Sequence, residues 1–205
     1  NLDYLDEAFE KFPNEPFVLL QLAIYNPDIK NRIEVLQHIH ELTPNDAMAL
    51  YLLADQLFSD GKTLEAQKML MKASLMPQSN NCSDEIILAE RDYHLFHGDS
   101  ESVALTKSMS NLVNPTASNM MNIKKHLEKI VAAFDSQKDH SSLESIALLG
   151  ARIGYQMRSQ MNHYILDNLV ALSVERDFLT LLSPEIQLSL DGPTAMQRLE
   201  EIEAY

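Results

Sequence analysis

Several residue types that support particular functions are scarce in this 205-residue sequence. A single cysteine, Cys82, excludes an internal disulfide. Only five glycines are present, and none forms a glycine-rich loop of the kind that holds phosphate groups. No apolar run reaches the roughly 18 residues that a membrane-spanning helix needs, so we expect no membrane insertion of this segment.

Basic residues are also scarce relative to acidic ones. The chain has 16 Lys and Arg against 30 Asp and Glu, which gives a formal net charge of -14. Because affinity for nucleic acids rests mostly on Lys and Arg, this balance predicts no nucleic-acid partner and disfavours an anionic membrane surface. The hydrophobic content of 45% is enough for a substantial core.

The pattern that is present is helical, and it is clearest in residues 43–77. Pro44 and Asn45 separate this segment from what precedes it, because proline cannot continue a helix and asparagine is a good N-cap. The first predicted helix has apolar residues at i, i+3, i+4 and i+7, namely Leu50, Leu53, Ala54 and Leu57. Gly61 ends that helix, since glycine readily takes the left-handed conformation. A second predicted helix has an inner face of Leu64, Ala66, Leu70 and Ala73.

Similar marks recur along the first half of the chain. Pro13-Asn14 precedes Pro44-Asn45 by 31 residues, and Pro77-Gln78 follows 33 residues later. Residues 43–77 resemble a tetratricopeptide repeat, a 34-residue helix-turn-helix unit that stacks into a solenoid. The resemblance rests on Leu53, Ala54, Leu57, Gly61, Ala66, Leu70 and Ala73. It extends over about residues 1–115 with a truncated first unit, and Leu50 stands where the family usually has tryptophan.

The repeat period is lost after Pro115. Helical patterns cover about residues 116–135, 141–157 and 162–182, a short helix is predicted at Ser183-Pro184, and an acidic helix ends the chain. No segment has the alternating pattern of a strand. We therefore predict an all-α fold, in which a TPR-like α-α solenoid of helical hairpins (residues 1–115) is continued by an irregular helical C-terminal region (residues 116–205) packed against the repeats. In that region Gly150 and Gly154 lie four residues apart and indicate close helix packing.

The candidate reactive groups favour a non-catalytic protein. Glu90, His94 and His97 would share one helix face, but a solvated polar stripe gives the same pattern as a zinc site. Cys82 lies in the polar loop QSNNCSD, which favours an unreactive loop thiol, since a nucleophile would need a nearby base and a depressed pKa. We therefore predict no enzyme activity, no catalytic residue, no metal and no cofactor.

The resemblance implies a binding surface on the first helix of each hairpin. Carried over residue by residue, it places nine side chains on a concave groove: Phe17, Leu20, Met48, Tyr51, Asp55, Phe58, Ile86, Glu90 and Tyr93. This apolar and aromatic set with two carboxylates suits an amphipathic helix or an extended peptide that carries a basic residue. The alternative is that the second half of the chain packs into the groove.

Two functions remain open at this point. The first is a non-catalytic protein- or peptide-binding scaffold built from TPR-like repeats. The second is a structural accessory or sensor domain of a larger bacterial protein of unassigned function, because residues 147–160 and 166–182 resemble a paired-helix region of large bacterial proteins. Burial of Tyr51 and Phe58 beneath the helices after Pro115 would favour the second.

Overall fold

The computed structural model describes residues 2–26, 31–80, 82–111, 115–160, 165–188 and 192–204. These residues form eleven α-helices and two isolated β-bridges, and they contain no β-strand, so the predicted all-α class is confirmed. The helices are α1 (Leu2–Lys11), α2 (Pro16–Tyr25), α3 (Arg32–Leu42), α4 (Met48–Ser59), α5 (Thr63–Ala73), α6 (Ser83–Phe96), α7 (Glu101–Asn111), α8 (Pro115–Ser136), α9 (His140–Gln160), α10 (Ile165–Leu179) and α11 (Ala195–Glu203). Across the described residues, every helix is too short or too polar to cross a membrane.

The most buried helix is α4. Nine of the twelve residues in its sequence, MALYLLADQLFS, are apolar, which is typical of a helix largely surrounded by protein. It packs against α3, α5 and α8, and all but two of its residues are buried. The core of the molecule is therefore built around α4.

The turn from α4 to α5 has the predicted geometry. Gly61 has a φ of 74°. Its N–H donates to the carbonyl of Phe58 at 3.0 Å, and the N–H of Lys62 donates to the carbonyl of Leu57 at 2.8 Å. These two bonds are the Schellman arrangement of a helix C-terminus. The chain then returns as α5 along α4, and Ala54 and Ala66 both have 0% exposure. The prediction that Leu64 lies on the inner face of α5 is wrong, since it is 73% exposed in the first turn of the helix.

The C-terminal region is organised around the contact between α9 and α10. A Cβ atom added to Gly150 would lie 2.3 Å from the ring of Phe178, and one added to Gly154 would lie 2.4 Å from the backbone nitrogen of Glu175. The interpretation of this glycine pair as close packing is therefore confirmed. The predicted start of α10, near residue 162, lies outside the described residues.

The short helix predicted at Ser183-Pro184 does not form. The segment is a turn instead, and its backbone groups bond to a later part of the chain. The N–H of Leu188 donates to the carbonyl of Pro193 at 3.2 Å, and the N–H of Ala195 donates to the carbonyl of Ile186 at 2.8 Å. These partners stabilise the turn, and one of them, Ala195, is the first residue of α11.

A buried ion pair joins α11 to α10. The guanidinium of Arg198 donates to both carboxylate oxygens of Glu175, at 2.6 and 3.1 Å, and Glu175 has 0% exposure. Arg198 also donates to Glu201 at 2.5 Å. A buried charge requires such partners, so the pair fixes where α11 lies on α10.

One hydrophobic core joins the two predicted regions. It includes side chains from Leu19 to Ala73 in the first region and from Met120 to Ala195 in the second. The helices α4 and α8 pack together, as do α5 and α9. In contrast, α6 and α7 pack on each other and make few contacts with the remaining described helices.

Candidate functional site

The middle of the predicted groove is covered by α8 and α9. The hydroxyl of Tyr51 donates to the side-chain oxygen of Gln156 on α9. The amide of Asn119 donates to Asp55 at 2.8 Å. Phe58 stacks on His126, with ring centroids 4.6 Å apart.

Tyr51, Asp55 and Phe58 are consequently 0%, 7% and 5% exposed. This corrects the expectation of an open groove at these three positions, because helices that follow Pro115 already occupy the space. The Tyr51 hydroxyl and one carboxylate oxygen of Asp55 have hydrogen-bond partners within the chain. Sequence reasoning raised this outcome only as an alternative, since the partners lie 64 to 105 residues away.

Burial also sets the protonation of these groups. It raises the pKa of the Tyr51 hydroxyl far above its ordinary value. It likewise raises the pKa of Asp55, although the charge of Arg32 and the hydrogen bond from Asn119 partly oppose this. Tyr51 therefore stays a neutral hydrogen-bond donor, and Asp55 holds its proton more tightly than an exposed aspartate.

An open part of the predicted groove remains near the start of α4. A cavity of about 250 Å³ lies there, and three predicted groove residues contribute to its wall: Phe17, which is half-buried, and Leu20 and Met48, which are 4% and 1% exposed. We call it the acidic recess. Its other lining residues are Glu15, Pro16, Ile39, Thr43, Asp46, Ala49, Asn80, Cys82 and Glu85.

The electrostatics of the acidic recess come from Glu15, Asp46 and Glu85. No Lys or Arg is among its lining residues. Asp46 is positioned by backbone donors, since its carboxylate accepts from the N–H of Met48 at 2.8 Å and from the N–H of Asn80 at 3.2 Å. Burial nevertheless raises the pKa of Asp46, and these hydrogen bonds oppose that shift. Within the described lining, the recess thus combines an apolar wall with three carboxylates and no cationic side chain.

Cys82 lines the acidic recess but is unsuited to act as a nucleophile. Burial, together with the charges of Glu85, Asp46 and Glu15, raises the pKa of its thiol to about 12. A nucleophilic cysteine needs the opposite shift, toward the thiolate at neutral pH. Sequence reasoning classed Cys82 as a loop thiol and missed its place in the recess, because that place depends on α2 and α4.

The three predicted groove residues on α6 differ in exposure. Ile86 is half-buried, and Glu90 is partly buried with its pKa raised by burial against the charge of His94. Tyr93 is 60% exposed and lies beside Phe96, which is 88% exposed. The set therefore changes from buried to exposed along this helix. Phe96 was not predicted, although it follows Tyr93 by three residues and shares its helix face.

The polar residues of α6 do not converge on a common point. His94 pairs with Asp99 at 3.0 Å, whereas a ring nitrogen of His97 lies 2.8 Å from the carbonyl oxygen of Tyr93. Over the ranges that the structure describes, no three His, Cys, Asp or Glu side chains are arranged to hold a metal ion.

Searches of the chain against models of known protein families, against curated proteins and against solved structures found no match.

Proposed function

We propose that this protein is a non-catalytic scaffold of tetratricopeptide-like hairpins that binds a protein or peptide at the acidic recess. The observation that carries the proposal is the composition of this cavity, where Phe17, Leu20 and Met48 form an apolar wall beside three carboxylates. Recognition sites commonly combine an apolar pocket with a few placed polar groups. The protonated thiol of Cys82 supports a binding role rather than a catalytic one.

The chemistry of the recess defines the partner. A cavity of about 250 Å³ has room for one or two side chains rather than a whole helix. An apolar anchor would enter it, and a neighbouring Lys or Arg would pair with the carboxylates of Glu15 and Glu85. The net charge of -14 disfavours acidic partners. Tyr93 and Phe96 offer exposed aromatic area for a longer partner to contact.

A peptide-display selection against the purified protein tests the proposal. We expect enriched sequences with an apolar residue beside Lys or Arg, whose binding weakens as salt is raised. The variant Glu15→Lys should weaken binding of these peptides by about tenfold, because it reverses a charge at the recess. Glu15 is exposed and its side chain makes no capping hydrogen bond to α2, so the variant should fold.

Glu65→Lys is the matched control, since Glu65 is an exposed carboxylate on α5 and does not line the recess. It should leave binding unchanged. If both variants reduce binding equally, the peptides respond to net charge rather than to the recess. The proposal fails in that case, and it also fails if the selection enriches no basic sequences.

The second candidate is a structural accessory or sensor domain of a larger bacterial protein. It is favoured by the filled middle of the groove, where α8 and α9 cover Tyr51 and Phe58. Under this function the hairpins support the fold and present no peptide site. A selection without enriched peptides, from a protein whose folding is verified by circular dichroism, would favour this candidate over the scaffold.

A further inference from the structure

A second cavity lies away from the acidic recess, where the end of α5 meets α9 and the turn before α11. Its volume is about 550 Å³, which is within the usual range for small-molecule sites. Apolar side chains from two separate segments form much of its wall: Leu75, Met76, Leu188 and Pro193. Tyr155 adds an aromatic ring that is 48% exposed.

Arg152 is the charged residue of this cavity. Its Nε donates to the carbonyl of Leu188 at 3.0 Å, which positions the guanidinium at the turn. Within the described part of the chain, no carboxylate forms an ion pair with Arg152, and the lining includes no Asp or Glu. Among the described lining residues, Arg152 alone carries a charge, in a chain with almost twice as many acidic as basic residues.

The nearby Arg198 does not serve the same purpose. It lies 5.3 Å from the ring centre of Tyr155, but its charge is balanced by Glu175 and Glu201. Arg152 is therefore the cation that lines the cavity with its charge uncompensated by described residues. A guanidinium in this state favours an anionic group, which it can bind through two parallel hydrogen bonds.

Gln156 holds one wall of the cavity in place. Its side-chain nitrogen donates to the carbonyl oxygens of Ala73 and Met76, at 3.2 and 2.6 Å, and its side-chain oxygen accepts from the Tyr51 hydroxyl. Gln156 has 5% exposure. Because these bonds satisfy the amide, the wall is formed before any ligand arrives, and little ordering is needed on binding.

We propose that this cavity binds a small monocarboxylate with an apolar body, of the class of medium-chain fatty acids. Arg152 pairs with the carboxylate, and the apolar wall takes the hydrocarbon chain. One guanidinium balances one negative charge, so the cavity suits a monocarboxylate better than a doubly charged phosphate ester. The proposal is independent of the acidic recess and of peptide binding.

Calorimetric titration with three matched compounds tests the proposal: octanoate, octanol and octylamine, each kept below the concentration at which it aggregates. We expect saturable binding of octanoate with one site per chain. Octanol, which keeps the chain but lacks the charge, should bind about tenfold more weakly or worse. Octylamine should not bind, because its charge repels Arg152.

A pair of variants at Leu75 locates the site without disturbing the core, since Leu75 is 75% exposed. Leu75→Glu places a carboxylate at the cavity and should weaken octanoate binding by about tenfold or more. Leu75→Lys removes the same leucine but adds a cation, so it should bind octanoate at least as tightly as the wild-type protein does. Leu64→Glu, at a leucine of α5 that is 73% exposed and outside the cavity, is the control and should bind like wild type.

Three results would overturn the proposal. The first is no saturable octanoate binding by the folded protein. The second is equal affinity for octanoate and octanol, which would show that Arg152 does not interact favourably with the carboxylate of octanoate. The third is an equal loss of binding in Leu75→Glu and Leu64→Glu, which would place the effect outside the cavity. Peptide binding at the acidic recess should be unaffected by octanoate.

Discussion

Replacing Gly154 by alanine is the sharpest test of how the C-terminal region is packed. In an ordinary helix interior the change stabilises by about 1 kcal/mol, because alanine has the better helix propensity. Here the new Cβ would lie 2.4 Å from the backbone nitrogen of Glu175 and 2.6 Å from its Cα. These atoms belong to the backbone of α10 and cannot turn aside as a side chain could, so α10 itself must move.

The expected loss follows from two costs and one opposing gain. Overpacking typically costs about 1 to 3 kcal/mol. Moving α10 also strains the contact between Glu175 and Arg198, whose shortest separation is 2.6 Å, and breaking a buried pair of this kind costs about 3 to 5 kcal/mol in full. After subtracting the gain in propensity, we expect Gly154→Ala to destabilise by about 2 kcal/mol or more. For a chain of this size that lowers the melting temperature by about 4 to 8 °C.

Urea unfolding followed by far-ultraviolet circular dichroism measures this loss. Ser145→Ala, at an exposed position of the same helix, is the control and should change stability by about 0.5 kcal/mol or less. A Gly154→Ala variant as stable as wild type would show that α9 and α10 are farther apart than described. The packing argument would then be refuted.

Three further predictions concern the turns, a buried carboxylate and the cysteine. Lys138 has a φ of 58° and occupies the same Schellman position as Gly61. Lys138→Gly should therefore stabilise the protein by about 1 kcal/mol, and Gly61→Val should destabilise it by at least about 1 kcal/mol. Thermal unfolding measures both effects. Burial raises the pKa of Asp55, so its contribution to stability is full below the unfolded pKa of about 4 and is lost as pH rises through the folded pKa. The free energy of unfolding of Asp55→Asn, measured in urea, should therefore increase relative to that of wild type as pH rises from about 4 to 7. A difference in free energy that stays constant over this range would contradict the prediction. Because the thiol pKa of Cys82 is about 12, iodoacetamide at pH 8 should alkylate it roughly 100-fold more slowly in the folded protein than in urea, as followed by mass spectrometry; equal rates would contradict the burial.

The features that could be predicted from sequence are those with local causes. The end of α4 at Gly61 could be predicted because the helix stop and the apolar face of the next helix each depend on a few neighbouring residues. The same holds for the glycines of α9, whose four-residue spacing alone indicates a close neighbour. Such signals depend on the 3.6-residue period and on backbone conformation, both of which the sequence displays directly.

The features that could not be predicted depend on distant partners. Tyr51 and Gln156 are 105 residues apart in sequence, and no local pattern on either helix predicts their contact. The turn at residues 183–188 forms because Pro193 and Ala195 supply its hydrogen bonds. The cavity beside Arg152 draws on three separate segments. One signal was available for the filled groove: nine of the twelve residues of α4 are apolar, which is unusual for a helix with one open face.

The contact between Tyr51 and Gln156 has a consequence for the chain during its synthesis. Helix α4 can leave the ribosome early, but the residues that cover it emerge 64 to 105 positions later. At roughly 5 to 20 residues per second, Tyr51, Asp55 and Phe58 stay uncovered for about 3 to 20 seconds. During that interval the nascent chain displays an apolar helix face to its surroundings. Slowing translation after residue 115 would prolong this exposure. A chaperone that binds apolar segments of nascent chains would compete with α8 and α9 for the same surface.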